Sequence, residues 1–211
     1  MVLTMEGFRK RIEYSLCQQF ASEEDVRNFC ERAKTVGVGV AFGSHYPDVK
    51  VMETRRGIAD GATQIDVVIN VGALHSKKES LVLEDIRAVV EAAEGKPVKT
   101  IIETWVLTRE EKERACRFAE EGGAHLVKTT TGVRTQYLGL INDDPKGAVI
   151  EDIILMRKVL SPNVKIKASG GVYDLDCALE LIRNGADQLG VSRGEELIRE
   201  FSQRFGESTE L

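Results

Sequence analysis

Apolar and polar positions alternate in blocks along this chain, and the period changes from block to block. Short apolar runs at Val38 to Phe42, Ile65 to Asn70, Val98 to Glu103, His125 to Lys128, Lys165 to Ser169 and Gln188 to Ser192 read as buried strands. Between them the period becomes helical. Ser22 starts a helix that carries Val26, Phe29, Cys30 and Ala33 on one face and ends near Gly37. Further helices are predicted over 48–60, 81–93, 148–160 and 193–205, and one from Asp174 to Gly185. Thr108 and Glu111 have the spacing of a capping box for a helix that runs to Glu121. Residues 7–20 read as a poorly patterned helix, with Ile12 to Leu16 a weak candidate for a strand, and 133–147 as a long polar loop.

Three αβ connections share one design. Gly61-Ala62, Gly123-Ala124 and Gly185-Ala186 each end a helix just before a strand. The glycine suits a left-handed cap, and the alanine lets helix and sheet approach closely. Strands alternating with helices predict a parallel sheet. No G-x-G-x-x-G or G-x-x-x-x-G-K-[ST] follows a strand, so a dinucleotide or P-loop fold is disfavoured. The predicted fold is an α/β, TIM-type (β/α) barrel in a single domain, 1–211. In such barrels reactive side chains sit at the C-terminal ends of the strands.

Side chains alternate along a strand, which fixes what the interior holds. With Lys128 inward, Leu126 is inward too; the same parity sends Asp66, Val68, Lys99, Ile101, Glu103, Lys165 and Lys167 inside. A barrel built for stability alone would fill this space with Val, Ile and Leu. Lys99 and Lys165, near strand starts, could equally reach solvent. Lys128 and Lys167, near the ends of successive strands, face one cavity. A lysine amine attacks a carbonyl carbon only without its proton, and burial beside another cation favours that form. Lys128 is the candidate nucleophile, Lys167 the neighbouring cation, and Asp66 a carboxylate able to relay protons. The product would be a Schiff base, an electron sink for making or breaking a carbon–carbon bond.

Gly170-Gly171 follows one strand, and Gly190-Val191-Ser192-Arg193-Gly194 ends the next. Barrel enzymes often hold phosphate there with backbone N–H groups, and Arg193 could add an ion pair. Ser192 and Glu195 could instead form a plain capping box. With Thr131 at the end of the Lys128 strand, Gly170, Gly171, Gly190, Ser192 and Arg193 are the candidate substrate- and phosphate-binding residues.

Composition narrows the function classes. A formal net charge of −5 offers no basic field to nucleic acid or to an anionic membrane. No apolar run approaches membrane-helix length, and Met1 to Lys10 lacks the apolar centre of a signal peptide, so a cytoplasmic protein is expected. Cys17, Cys30, Cys116 and Cys177 are dispersed and read as reduced thiols; the scattered histidines give no metal site, and no cofactor is expected.

Together, Ile65 to Leu74, Ile101-Ile102-Glu103-Thr104, Val127 to Gly132, Lys167 to Gly171 and Gly190-Val191-Ser192 resemble the deoxyribose-phosphate aldolase family of class I aldolases. The resemblance runs in order from about residue 40 to 200. It implies that Lys128 forms the Schiff base, that Lys167 activates it, that Asp66 assists proton transfer, and that Gly170, Gly171 and Ser192 bind phosphate. Members of the family cleave 2-deoxyribose 5-phosphate to acetaldehyde and glyceraldehyde 3-phosphate without metal. The chain departs from the pattern at four places. Ile12-Glu13-Tyr14-Ser15 stands where the family has an Asp-His-Thr strand, and one βα unit is missing before Asp66. Arg193 replaces a serine, and the 133–147 loop is long. The expectation is an incomplete barrel of about seven or fewer units, covered by a helical segment over 1–36 and by a partner subunit in a homo-oligomer. The alternative function is a catalytically silent sugar-phosphate binding or regulatory protein on the same barrel.

Overall fold

The computed structural model describes residues 1–14, 38–41, 43–132 and 147–211. Seven strands among them form one parallel sheet: β2 (Ile12–Tyr14), β3 (Val38–Ala41), β4 (Gln64–Val68), β5 (Val98–Ile101), β6 (Leu126–Lys128), β7 (Lys165–Ser169) and β8 (Gln188–Val191). Their order is β2-β8-β7-β6-β5-β4-β3. Lys99 of β5 nevertheless contacts Glu13 of β2, four strand spacings away. In a flat sheet that is roughly 19 Å, so the sheet curls into barrel form. This is the (β/α) barrel form that the alternating pattern predicts, with seven parallel strands among the described residues.

Among the described residues the α-helices are α1 (Met5–Arg11), α2 (Pro47–Ala59), the short α3 (Val71–His75), α4 (Glu79–Ala92), α5 (Arg109–Glu121), α6 (Ile150–Val159), α7 (Leu175–Arg183) and α8 (Gly194–Phe205). Their apolar stripes pack on the outer face of the sheet, around Ile86, Ile102, Val127, Ile153, Ile166, Leu179 and Leu189. A second cluster joins Ile65, Val67, Val89 and Val98 beside β4 and β5. Thr108 and Glu111 form the expected reciprocal cap of α5, and Asp174 caps α7 through the N–H of Cys177. Gly61, Gly123 and Gly185 all have positive φ. In each turn the following alanine N–H bonds the carbonyl five residues back. One local solution thus sets down β4, β6 and β8.

Several expectations change. Residues 7–20 are not one helix: α1 starts earlier, at Met5, and Ile12–Tyr14 is a strand paired with β8. Phe8 of α1 stacks on Phe201 of α8 at 4.7 Å, and the helix ends at Arg11, where the chain passes into β2. The predicted helix from Ser22, and most of the 133–147 loop, lie outside the described residues. An antiparallel pair, β1 (Val2–Thr4) with β9 (Ser208–Glu210), was not expected. Ser192 does not cap α8; the cap position is Arg193, with no side-chain cap bond. Among the described residues, no helix is long and apolar enough to cross a membrane.

Candidate active site

Lys128 is the last residue of β6, and Lys167 lies opposite it in register on β7. Both side chains are buried, and both amines bond one oxygen of Asp66 from β4: Lys128 Nζ at 2.9 Å and Lys167 Nζ at 3.2 Å from Oδ2. The pairing predicted from strand parity is therefore present, with Asp66 between the two lysines. Burial pushes the Asp66 carboxyl up, but the ammonium groups of Lys128, Lys167 and Lys99 and the Lys128 hydrogen bond outweigh it. The carboxyl is held far below the usual carboxylate range.

Two more charged groups complete the cluster. Lys99 on β5 is fully buried, donates to Glu13 Oε1, and stands 3.5 Å from Asp66 Oδ1. Glu13 Oε2 in turn lies 2.7 Å from Lys167 Nζ. Strand parity leaves Lys99 open between interior and solvent; the structure places it inside. Lys165 is exposed at the start of β7, so the interior holds three ammonium groups rather than four. Glu13 was missed as a site residue because β2 is three residues long and follows a helix directly. Its only sequence signal was its place in the stretch that replaces the family's Asp-His-Thr strand.

Glu103, just past β5, adopts a left-handed conformation at φ 55° and ψ 57°. That conformation is uncommon for a residue with a side chain. It turns the carboxylate toward the loop after β6. There it accepts from the Thr131 N–H, from Thr131 Oγ1 at 3.2 Å, and from Trp105 Nε1 at 2.9 Å. Thr131 thus ties the Lys128 loop to the neighbouring strand end. Gly170 follows β7 at φ 85°, and a Cβ there would meet Thr130 Cγ2 at 2.9 Å and Gly132 Cα at 3.3 Å. The Ala148 N–H bonds the Gly170 carbonyl at 2.9 Å, so three chain segments converge on this glycine. Gly171 also has positive φ, and Gly190 is buried in β8 beside β7. Ser192 and Arg193 follow β8 at the same end of the barrel, both exposed, and Arg193 pairs with Glu196. Burial pushes the Cys116 thiol up to about 12, so it is no rival nucleophile.

Fold and cluster together define a lysine-centred (β/α)-barrel protein of the aldolase class. Residues 19–195 match the DeoC/LacD family aldolase model, and the chain belongs to that family of carbon–carbon lyases. The deoxyribose-phosphate aldolase of Streptococcus sanguinis is 39% identical over 218 residues, covering 90% of this chain and 94% of its own. That of Halalkalibacterium halodurans is 48% identical over 162 residues, covering 76% of this chain and 68% of its own. Among solved structures, "QR15, an Aldolase" superposes with a TM-score of 0.83 at 28% identity, covering 93% of this chain and 96% of that one.

Proposed function

We propose that this chain is a metal-independent class I aldolase. It cleaves 2-deoxyribose 5-phosphate, or a related small phosphorylated sugar, into acetaldehyde and glyceraldehyde 3-phosphate or their counterparts. The carrying observation is Lys128: a buried amine at a strand's C-terminal end, sharing one carboxylate oxygen with a second lysine. The family supports the reaction class, and the names of the relatives support the substrate.

The free amine of Lys128 adds to the C1 carbonyl of the open-chain sugar. The carbonyl oxygen leaves as water, and a protonated imine remains. As the C3 hydroxyl loses its proton, the C2–C3 bond breaks. C3 becomes the carbonyl of glyceraldehyde 3-phosphate, and the bonding pair forms the C1–C2 enamine. A proton returned to C2 regenerates the imine, and water releases acetaldehyde and the amine. Asp66, in contact with both lysines, relays protons in these steps. Lys167 keeps a positive charge beside Lys128, which favours the uncharged amine. Gly170, Gly171, Gly190, Ser192, Arg193 and Thr131 form the end of the site that takes the phosphate, through backbone N–H groups and the Arg193 guanidinium. The enzyme works in the cytoplasm as a homo-oligomer; the exposed Tyr46 and Met52 support a subunit contact there, and light scattering tests it.

Borohydride trapping tests the chemistry. Incubation with acetaldehyde followed by reduction should add one reduced two-carbon adduct at Lys128, seen by peptide mass. Lys128→Arg should abolish it, because a guanidinium stays charged and cannot attack. A chelator should leave turnover unchanged. A wild-type protein that forms no adduct with any small carbonyl would instead fit the silent sugar-phosphate binder.

A further inference from the structure

Four of the five charges in the Lys128 cluster close a ring of alternating sign. Lys99 contacts Glu13, Glu13 contacts Lys167, Lys167 contacts Asp66, and Asp66 contacts Lys99. Two ammonium groups and two carboxylates balance within it. Lys128 stands outside the ring and touches it at Asp66 alone among these groups. The cluster therefore carries one ammonium in surplus when every lysine is protonated. Unbalanced charge in a low-dielectric interior is costly, and losing one proton removes it. Lys99 and Lys167 each bridge both carboxylates, whereas Lys128 holds one. Deprotonating Lys128 breaks the fewest ion pairs.

We propose that Lys99 and Glu13 are positioning residues that complete this balanced ring and so make Lys128 the lysine that gives up its proton. The inference rests on the Schiff-base reading of Lys128 and assigns work to two side chains that the reaction itself never touches. Lys99 acts through Asp66 and Glu13, and its ammonium has no part in the bond changes. Glu13 supplies the second countercharge, without which Lys99 would be a further surplus cation. The remaining walls of the cavity leave the count unchanged among the described residues. Strand β3 has no titratable residue in Val38–Ala41, and β8 has none in Gln188–Val191. Lys165 on β7 is exposed, and Glu103 beyond β5 is engaged with Thr131 and Trp105.

Charge counting gives opposite signs for two single variants and cancellation for the double. In Lys99→Met, two ammonium groups face two carboxylates, so the Lys128 ammonium is balanced and kept. Cyanoborohydride trapping of acetaldehyde on Lys128, scanned against pH, should then begin about 1–2 pH units higher than in wild type. In Glu13→Gln the surplus grows, and trapping should begin at lower pH. In Lys99→Met/Glu13→Gln the surplus of one returns, and the midpoint should fall back to within about half a unit of wild type. A structural role alone would lower the amount of folded protein, followed by circular dichroism, without moving midpoints in opposite directions. Wild-type trapping at Lys128 with an unmoved midpoint in either folded single variant would overturn the ring and leave the aldolase reading standing. A double variant that keeps the single-variant shift would do the same. Should Lys99→Met fail to fold, Glu13→Gln and the double variant still decide it: the first must move down and the second must not. Absence of any Lys128 adduct in wild type would overturn both readings.

Discussion

At the scale of single residues, Asp66 is the hinge of the site. Burial alone would raise its carboxyl, and three ammonium groups with the Lys128 hydrogen bond reverse that, leaving it ionised well into acid. The linkage sign follows. An unfolded aspartate titrates near ~3.9, so the Asp66 contribution to stability is complete above that pH. It is lost as pH falls toward the depressed folded-state value. Asp66→Asn should therefore flatten the acid limb of stability, measured by urea unfolding between pH 7 and acid. It should also cost roughly 3–5 kcal/mol at neutral pH, because the lysines lose their shared partner. Imine formation should stay detectable in this variant while proton exchange at the donor carbon slows; equal loss of both steps would make Asp66 structural. Position near strand ends made Lys128 and Lys167 legible in the sequence, and the parity set by an inward Lys128 added Asp66. Glu13 was not legible, since a three-residue strand after a helix has no period to read. Lys99 stayed undecided because sequence shows the parity of a strand start but not what lies opposite it across a curled sheet.

At the scale of elements, α2 forms where the sequence predicts a helix, but its buried face is polar. Its buried residues are Lys50 and Thr54, polar side chains one turn apart, so the face toward the sheet does not read as apolar. Lys50 Nζ bonds the Val68 carbonyl at 2.9 Å and pairs with Asp85 of α4. Burial pushes the Lys50 amine down and the Asp85 carboxyl up, against their mutual attraction. The pair clamps two helices to the end of β4, two residues beyond Asp66. Lys50→Met should cost roughly 3–5 kcal/mol by leaving Asp85 buried without its partner, and Lys50→Met/Asp85→Leu should recover most of that. Urea midpoints of the three proteins check it; equal loss in single and double variants would assign the cost to packing instead. Other elements were plain in the sequence because their signals are local. The Thr108 and Glu111 cap and the three glycine-alanine turns depend on residues within one turn of each other. The β1 and β9 pair could not be read, since its partners stand at opposite ends of the chain.

At the scale of the whole molecule, that pairing connects the chain ends to the chemistry. The Leu211 N–H bonds the Met1 carbonyl at 2.8 Å, and the Met5 N–H bonds the Glu207 carbonyl at 2.8 Å. Leu3 and Met5 are buried, and Phe8 of α1 stacks on Phe201 of α8. Helix α1 is followed directly by β2, which carries Glu13 into the ring of charges. Arg11, at the end of α1, also donates to the Ala186 and Asp187 carbonyls just before β8, the strand that β2 pairs with. The place of Glu13 thus depends on α1 being seated, and α1 is seated partly by β9. Removing residues 206–211 takes away these backbone bonds and uncovers part of Leu3. A loss of about 2 kcal/mol is expected from one buried aliphatic side chain and the strand bonds. In a domain of this size that lowers the melting temperature by about 4–8 °C. If Glu13 is displaced along with α1, the surplus of positive charge at Lys128 grows. The trapping midpoint should then move to lower pH, as in Glu13→Gln, while the adduct stays at Lys128. A truncated protein that melts lower but traps at the wild-type midpoint would show that β9 stabilises the barrel without setting the position of Glu13.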